Sequence, residues 1–204
     1  MKKIITVLLS VLLAMLLFTG CDMTGGETEE VEPQETPKPM TAEMYTDREA
    51  VYQYYKAVTF DDTLETLTEK YGEPKVEEDE NGKTYVWVMD DGFGFCTAFF
   101  DTGSLRAKVI YYEDVRQFGD ISAADSIESF SNLSDSYTFE MTCGMLGGKP
   151  MEIAQIAQDS SADPEIKRLY AWANHNQDVV QILFSGEGKV ESVTYMLAND
   201  GTNK

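Results

Sequence analysis

The sequence predicts an α+β protein made of two tandem units, each with two helices followed by a four-stranded antiparallel sheet. Three observations predict it. A helix signature occurs twice in the same order, and each occurrence ends in glycine and then proline. After each proline the apolar period changes from helical to alternating. A duplicated stretch of this length reads as one supersecondary module built twice and stacked.

The first unit opens with Thr46-Asp47-Arg48-Glu49, which has the form of a capping box. Ala50, Val51, Tyr54, Tyr55 and Val58 follow at helical spacing. A second box over Asp62 to Glu65 starts the signature helix, with Leu64, Leu67 and Tyr71 on one face. Gly72 ends that helix and Pro74 prevents its continuation. Asn81-Gly82 and Asp91-Gly92 are type I′ hairpin signals around a strand from Thr84 to Met89. Strands from Phe93 to Phe100 and from Leu105 to Tyr112 complete the unit, with Asp101 to Ser104 as the turn between them.

The second unit repeats this order. Around Thr63 the signature is Tyr55, Val58, Leu64, Tyr71, Gly72 and Pro74; around Thr138 it is Phe130, Leu133, Phe139, Leu146, Gly147 and Pro150. The extra Gly148 is the one change in spacing. Ser126 to Leu133 is the expected first helix and Thr138 to Leu146 the second. Expected strands run from Met151 to Ala157, Ile166 to Ala173, Asp178 to Phe184 and Lys189 to Leu197. Tyr170-Ala171-Trp172 then matches Tyr85-Val86-Trp87.

The N-terminal part has a different composition. Lys2 and Lys3 precede an apolar run from Ile4 to Phe18 that is too short and wrongly flanked for a membrane span. It ends in Phe18-Thr19-Gly20-Cys21, which resembles a bacterial lipoprotein signal with Cys21 as the acylated residue. Residues 22–45 are rich in glutamate and proline and have few apolar groups to bury, so they read as a disordered tether. A coil of that length reaches roughly 25–30 Å, which holds the folded part off the bilayer. The expected organisation is a signal over 1–20, a lipid-anchored linker over 21–45, a first unit over 46–118 and a second over 119–204. The expected address is extracytoplasmic, on the outer face of the cytoplasmic membrane.

The formal net charge of −20 disfavours nucleic acid as a partner, because phosphate backbones repel an acidic chain. It serves solubility, and it would also attract a basic partner. Cys96 and Cys143 remain after the signal. They fall in different units on a strand and a helix, and read as small apolar residues rather than a bridge.

The aromatic, aliphatic and threonine spacing, followed by Gly-x-Pro and a strand meander, resembles a module shared by two families. One is the SmpA/OmlA outer-membrane assembly lipoproteins. The other is the beta-lactamase inhibitory protein (BLIP) and its relatives. The tandem arrangement is similar to the inhibitory protein, and implies that the two sheets join into one extended curved sheet. The lipoprotein signal and tether look more like a group of lipoproteins with this fold from Gram-positive bacteria. The resemblance covers roughly residues 46–197. Asp61-Asp62 and Ser136-Tyr137 depart from the Gly-Met that the family places before the threonine. The disulfide within each unit of the inhibitory protein has no counterpart here, and beta-lactamase inhibition is not carried over.

No Gly-x-Ser-x-Gly nucleophile motif is present. His175 sits in the polar turn Asn174-His175-Asn176-Gln177, where an imidazole lacks an orienting partner. Glu77-x-Asp79-x-Asn81-Gly82 imitates half a calcium loop, but the required glutamate at its twelfth position is Val88. No catalytic residue, cofactor or metal site is therefore expected, and the chain reads as a non-catalytic binding module. The candidate partner-binding residues are Tyr85, Trp87, Phe95, Tyr170 and Trp172. Strand alternation puts Tyr85 and Trp87 on one face and Val86 and Val88 on the other. Tyr and Trp have polar tips that tolerate exposure and are enriched at binding hot spots. Alternatively this aromatic face is the one beneath the helices, and period alone does not choose. The expected partner is a protein or peptide outside the cytoplasmic membrane. The runner-up is a small ligand held in the cleft between the units.

Overall fold

The computed structural model describes residues 48–80, 82–90, 92–111, 133–147, 150–174, 176 and 178–196. All of them lie in one compact unit, Ala42–Lys204. Helices α1 (Arg48–Ala57) and α2 (Leu64–Tyr71) precede strands β1 (Lys75–Asp79), β2 (Gly82–Val88), β3 (Gly94–Phe99) and β4 (Leu105–Tyr111). Helix α3 (Phe139–Leu146) precedes β5 (Met151–Ala157), β6 (Ile166–Ala173), β7 (Val179–Phe184) and β8 (Val190–Met196).

The two-unit architecture is corrected. The strands form a single open antiparallel sheet of eight strands in sequential order. It does not divide into two modules of two helices and four strands. β4 pairs directly with β5 through Ala107↔Ile156, Lys108↔Gln155 and Val109↔Ala154. The physical reason lies in the backbone. A sheet ending at β4 would leave a row of unpaired N–H and C=O groups in the middle of the molecule, and pairing with β5 satisfies them. Among the described residues the helices are α1, α2 and α3. The helix expected over 126–133 lies outside the described residues except for Leu133, which is not helical. The unit boundary expected at 118/119 also lies outside them, as do Thr46 and Asp47 of the first capping box. Strands β2 to β8 do fall within two residues of their expected spans, because alternation and turn residues are local signals.

Local chemistry sets the helix ends. Thr63 is extended (φ −107°, ψ 167°) and caps α2 by accepting from Thr66 N at 3.2 Å. Thr66 Oγ1 accepts from Thr63 N at 2.9 Å in return, so the box lies one residue later than Asp62 to Glu65. Asp62 instead accepts from Thr59 N at 2.7 Å and closes the turn between α1 and α2. Thr138 caps α3 in the same way, through Met141 N at 3.3 Å.

Register fixes two faces. One row of directly opposed residues runs Val86, Cys96, Val109, Ala154, Leu169, Leu183 and Ser192. The row on the other face runs Tyr85, Thr97, Lys108, Gln155, Arg168, Phe184 and Val190. Helix side chains join the second face. Val58, Leu67, Tyr54, Leu64 and Tyr71 pack with Trp87, Phe95 and Leu105. Leu146, Phe139 and Cys143 pack with Trp172, Val180, Ile182 and Phe184. Between β2 and β3, Gly92 adopts φ 84°, which a side chain rarely permits, and donates to Met89 O at 2.9 Å.

Candidate functional site

The aromatic residues singled out from the sequence are in the core. Trp87, Phe95 and Trp172 are 2%, 0% and 1% exposed, and Tyr85 and Tyr170 are half-buried. Trp87, Phe95 and Trp172 are too buried to be exposed anchors: the aromatic face lies beneath the helices, the alternative that strand period leaves open, and the valine face is the other one. Size explains the choice. Large rings fill the space between a sheet and a short helix, where valine and alanine would leave a void. The polar tip of Trp87 is satisfied internally, because its Nε1 donates to Gly72 O at the end of α2 at 2.8 Å.

The structure does not bring the five residues together. Trp87 stacks on Phe95 with ring centroids 5.0 Å apart, and Tyr85 meets Phe99 edge-on at 5.6 Å. Tyr170 and Trp172 belong to a second group with Phe139 and Phe184. A polar cluster separates the two. In the row that begins at Tyr85 and ends at Val190, the second to fifth residues are Thr97, Lys108, Gln155 and Arg168.

Glu152 is the hub of that cluster. Its carboxylate accepts from Tyr55 Oη at 2.8 Å, Tyr170 Oη at 3.0 Å and Gln155 Nε2 at 2.8 Å. Arg168 Nε lies 3.6 Å away. Lys108 is buried, yet its ammonium is well partnered. It donates to Val58 O at 2.6 Å and Tyr55 O at 3.1 Å, and lies 4.5 Å from the Tyr55 ring centre. These carbonyls lie at the C-terminal end of α1, Tyr55 in its last turn and Val58 just beyond it, where a cation complements the helix dipole. Burial lowers the Lys108 pKa, and the Glu152 charge opposes that shift. Burial also raises the Tyr170 pKa, with Glu152 adding to it. The arrangement ties α1 to both halves of the sheet. Its acceptors are already engaged by protein donors, which is the signature of a structural network.

Other candidates are quickly placed. Cys96 and Cys143 are free; burial pushes the Cys96 thiol up to about 12. Among the described residues no three His, Cys, Asp or Glu side chains gather to hold a metal. Cys21 and His175 lie outside the described residues. Among the described residues no helix is long and apolar enough to cross a membrane.

No protein-family description and no curated protein matches the chain. Its surface must therefore speak for itself. Among the described residues the exposed large apolar side chains are Val76, Val88, Met141 and Met145. Val76 and Val88 lie on β1 and β2 near the sheet edge, whereas Met141 and Met145 stand one turn apart on α3. Sequence reading missed this pair. The signal was present in the alignment of the two threonine-capped helices, where Met141 and Met145 fall opposite Thr66 and Lys70.

Proposed function

We propose that this chain is a membrane-anchored, extracytoplasmic lipoprotein, acylated at Cys21, that acts as a non-catalytic binding module for a protein or peptide. The observation that carries this reading is the N-terminal sequence. Lys2-Lys3, the apolar run and Thr19-Gly20-Cys21 fit a lipoprotein signal, and the acidic, proline-rich stretch after them fits a tether. The folded part behind that tether has the properties of a scaffold. Its two aromatic groups and its part-buried polar cluster hold the helices to the sheet. Binding therefore falls to surface side chains and to acidic steering, for which the net charge of −20 favours a basic partner.

Two measurements test the reading. Metabolic labelling with a clickable fatty acid should mark the parent chain and leave Cys21→Ser unmarked; labelling of both, or of neither, refutes the anchor. Cross-linking in native membranes should then recover one partner in near-stoichiometric yield. Absence of any specific partner refutes the binding module.

A further inference from the structure

We propose that the outward face of α3 is a docking surface for a basic amphipathic helix of another protein; this rests on the binding-module reading above. Helices α2 and α3 stand at comparable junctions. Each is capped by a threonine and closed by a glycine, and each packs against a buried tryptophan group on the sheet. Their outward faces differ. Beyond Glu65 in the first turn, the exposed positions in α2 are Thr66, Glu69 and Lys70, as solvation requires. The same positions in α3 are Met141, Gly144 and Met145, also exposed, with the methionines 49% and 38% open. The fold is thus built once with a polar outer face and once with an apolar one. The methionines are not demanded by packing.

Gly144 supports the same conclusion. A glycine inside a helix weakens it. A Cβ at this position would meet nothing within 4 Å, so no contact within the described structure requires the glycine. On the outer surface its bare backbone allows another helix to approach closely between the two methionines. Methionine is flexible and polarizable, and suits a surface that must fit a partner's apolar side chains.

Charge selects the kind of partner. Glu140 is exposed in the first turn of α3. Two loops meet at that end of the helix, joined by Phe139 N donating to Gly188 O at 2.9 Å and Val190 N to Tyr137 O at 3.0 Å. They carry the exposed Asp135 and Glu187. Lys189 is the cation of this rim, and it is paired with Glu187 at 3.1 Å. An apolar centre with an acidic rim complements a helix with an apolar stripe and basic flanks. An anionic membrane and a second copy of this acidic chain carry the wrong sign.

The test uses the full-length lipid-anchored protein in nanodiscs of neutral lipid. The probe is a labelled Leu/Lys amphipathic helix, beside a control peptide of equal charge with serine in place of leucine. The variant is Met141→Thr/Met145→Gln, which gives α3 polar residues at positions where α2 tolerates Thr66 and Lys70, without adding a charge. Saturable binding of the Leu/Lys helix, weaker by about tenfold or more in the variant at an unchanged unfolding midpoint, is the expected result. Equal affinity of parent and variant overturns the proposal, as does equal affinity for the two peptides. Self-association, or binding to anionic vesicles, that is lost in the variant assigns the face to another occupant and also overturns it. A partner cross-linked in native membranes by parent and variant alike would refute this surface and leave the binding-module reading standing. No partner with either would refute that reading itself.

Discussion

Trp87 and Trp172 provide a paired test of where the aromatic residues lie. Both are buried beneath a threonine-capped helix, but they differ at one atom. Trp87 Nε1 donates to Gly72 O at 2.8 Å, whereas Trp172 Nε1 is buried without a partner. Replacing each with phenylalanine removes the same ring atoms from sites 2% and 1% exposed. The transfer and cavity costs are then alike, about 1–3 kcal/mol each. At Trp87 the lost hydrogen bond adds about 1 kcal/mol. At Trp172 the deletion removes a desolvated, unpaired donor and returns about 1–3 kcal/mol. Trp87→Phe should therefore be less stable than Trp172→Phe by about 2–4 kcal/mol. Urea unfolding followed by circular dichroism measures both midpoints, and equal slopes confirm that the same surface is exposed. Equal or reversed costs would refute the hydrogen-bond argument. Costs below about 0.5 kcal/mol for both would place the rings on the surface and refute the core assignment itself.

Three further outcomes are expected. Gly94→Ala should destabilise by about 2 kcal/mol or more, because its Cβ would lie 1.8 Å from the Trp87 carbonyl oxygen, a backbone atom; a neutral result in thermal unfolding would contradict the register of β2 and β3. Glu152→Gln should cost about 1–3 kcal/mol, since an amide oxygen cannot replace a carboxylate that accepts from Tyr55, Tyr170 and Gln155; unchanged stability would show that this cluster does not tie α1 to the sheet. Cys96 gives a pH signature. Its folded pKa is raised from 9.0 to about 12, so above pH 9 the unfolded chain loses the thiol proton while the folded chain keeps it. Stability then falls with rising pH by up to about 1.4 kcal/mol per unit. The loss begins near pH 9 and ends near 12. The parent should show this excess slope over Cys96→Ala in urea midpoints, and parallel curves would refute the burial of the thiol.

Local signals were legible and assembly was not. Alternating residues and turn glycines located the strands, because side-chain period and backbone conformation depend on near neighbours. The Thr63 and Thr138 caps were also legible, although the box at Thr63 uses Thr66 and not Glu65. The sequence leaves the site open at the one point where period is silent. Tyr85 and Trp87 were correctly placed on one face of their strand, but which face the helices cover depends on how those helices pack. Lys108 was overlooked for a similar reason. A lysine in Leu105–Tyr111 reads as a solvated residue until α1 brings the carbonyls of Tyr55 and Val58 to its ammonium.

The sequence by itself determined the strand spans, the threonine-capped helices and the acidic character, because each is written in residue type and short spacing. Only the tertiary structure decided the register in which β4 pairs with β5, that the aromatic face is covered, and that Met141 and Met145 remain open. Those outcomes depend on contacts between segments far apart in the chain. A strand edge is satisfied by whichever strand reaches it, and a side chain is buried only when another element arrives to cover it.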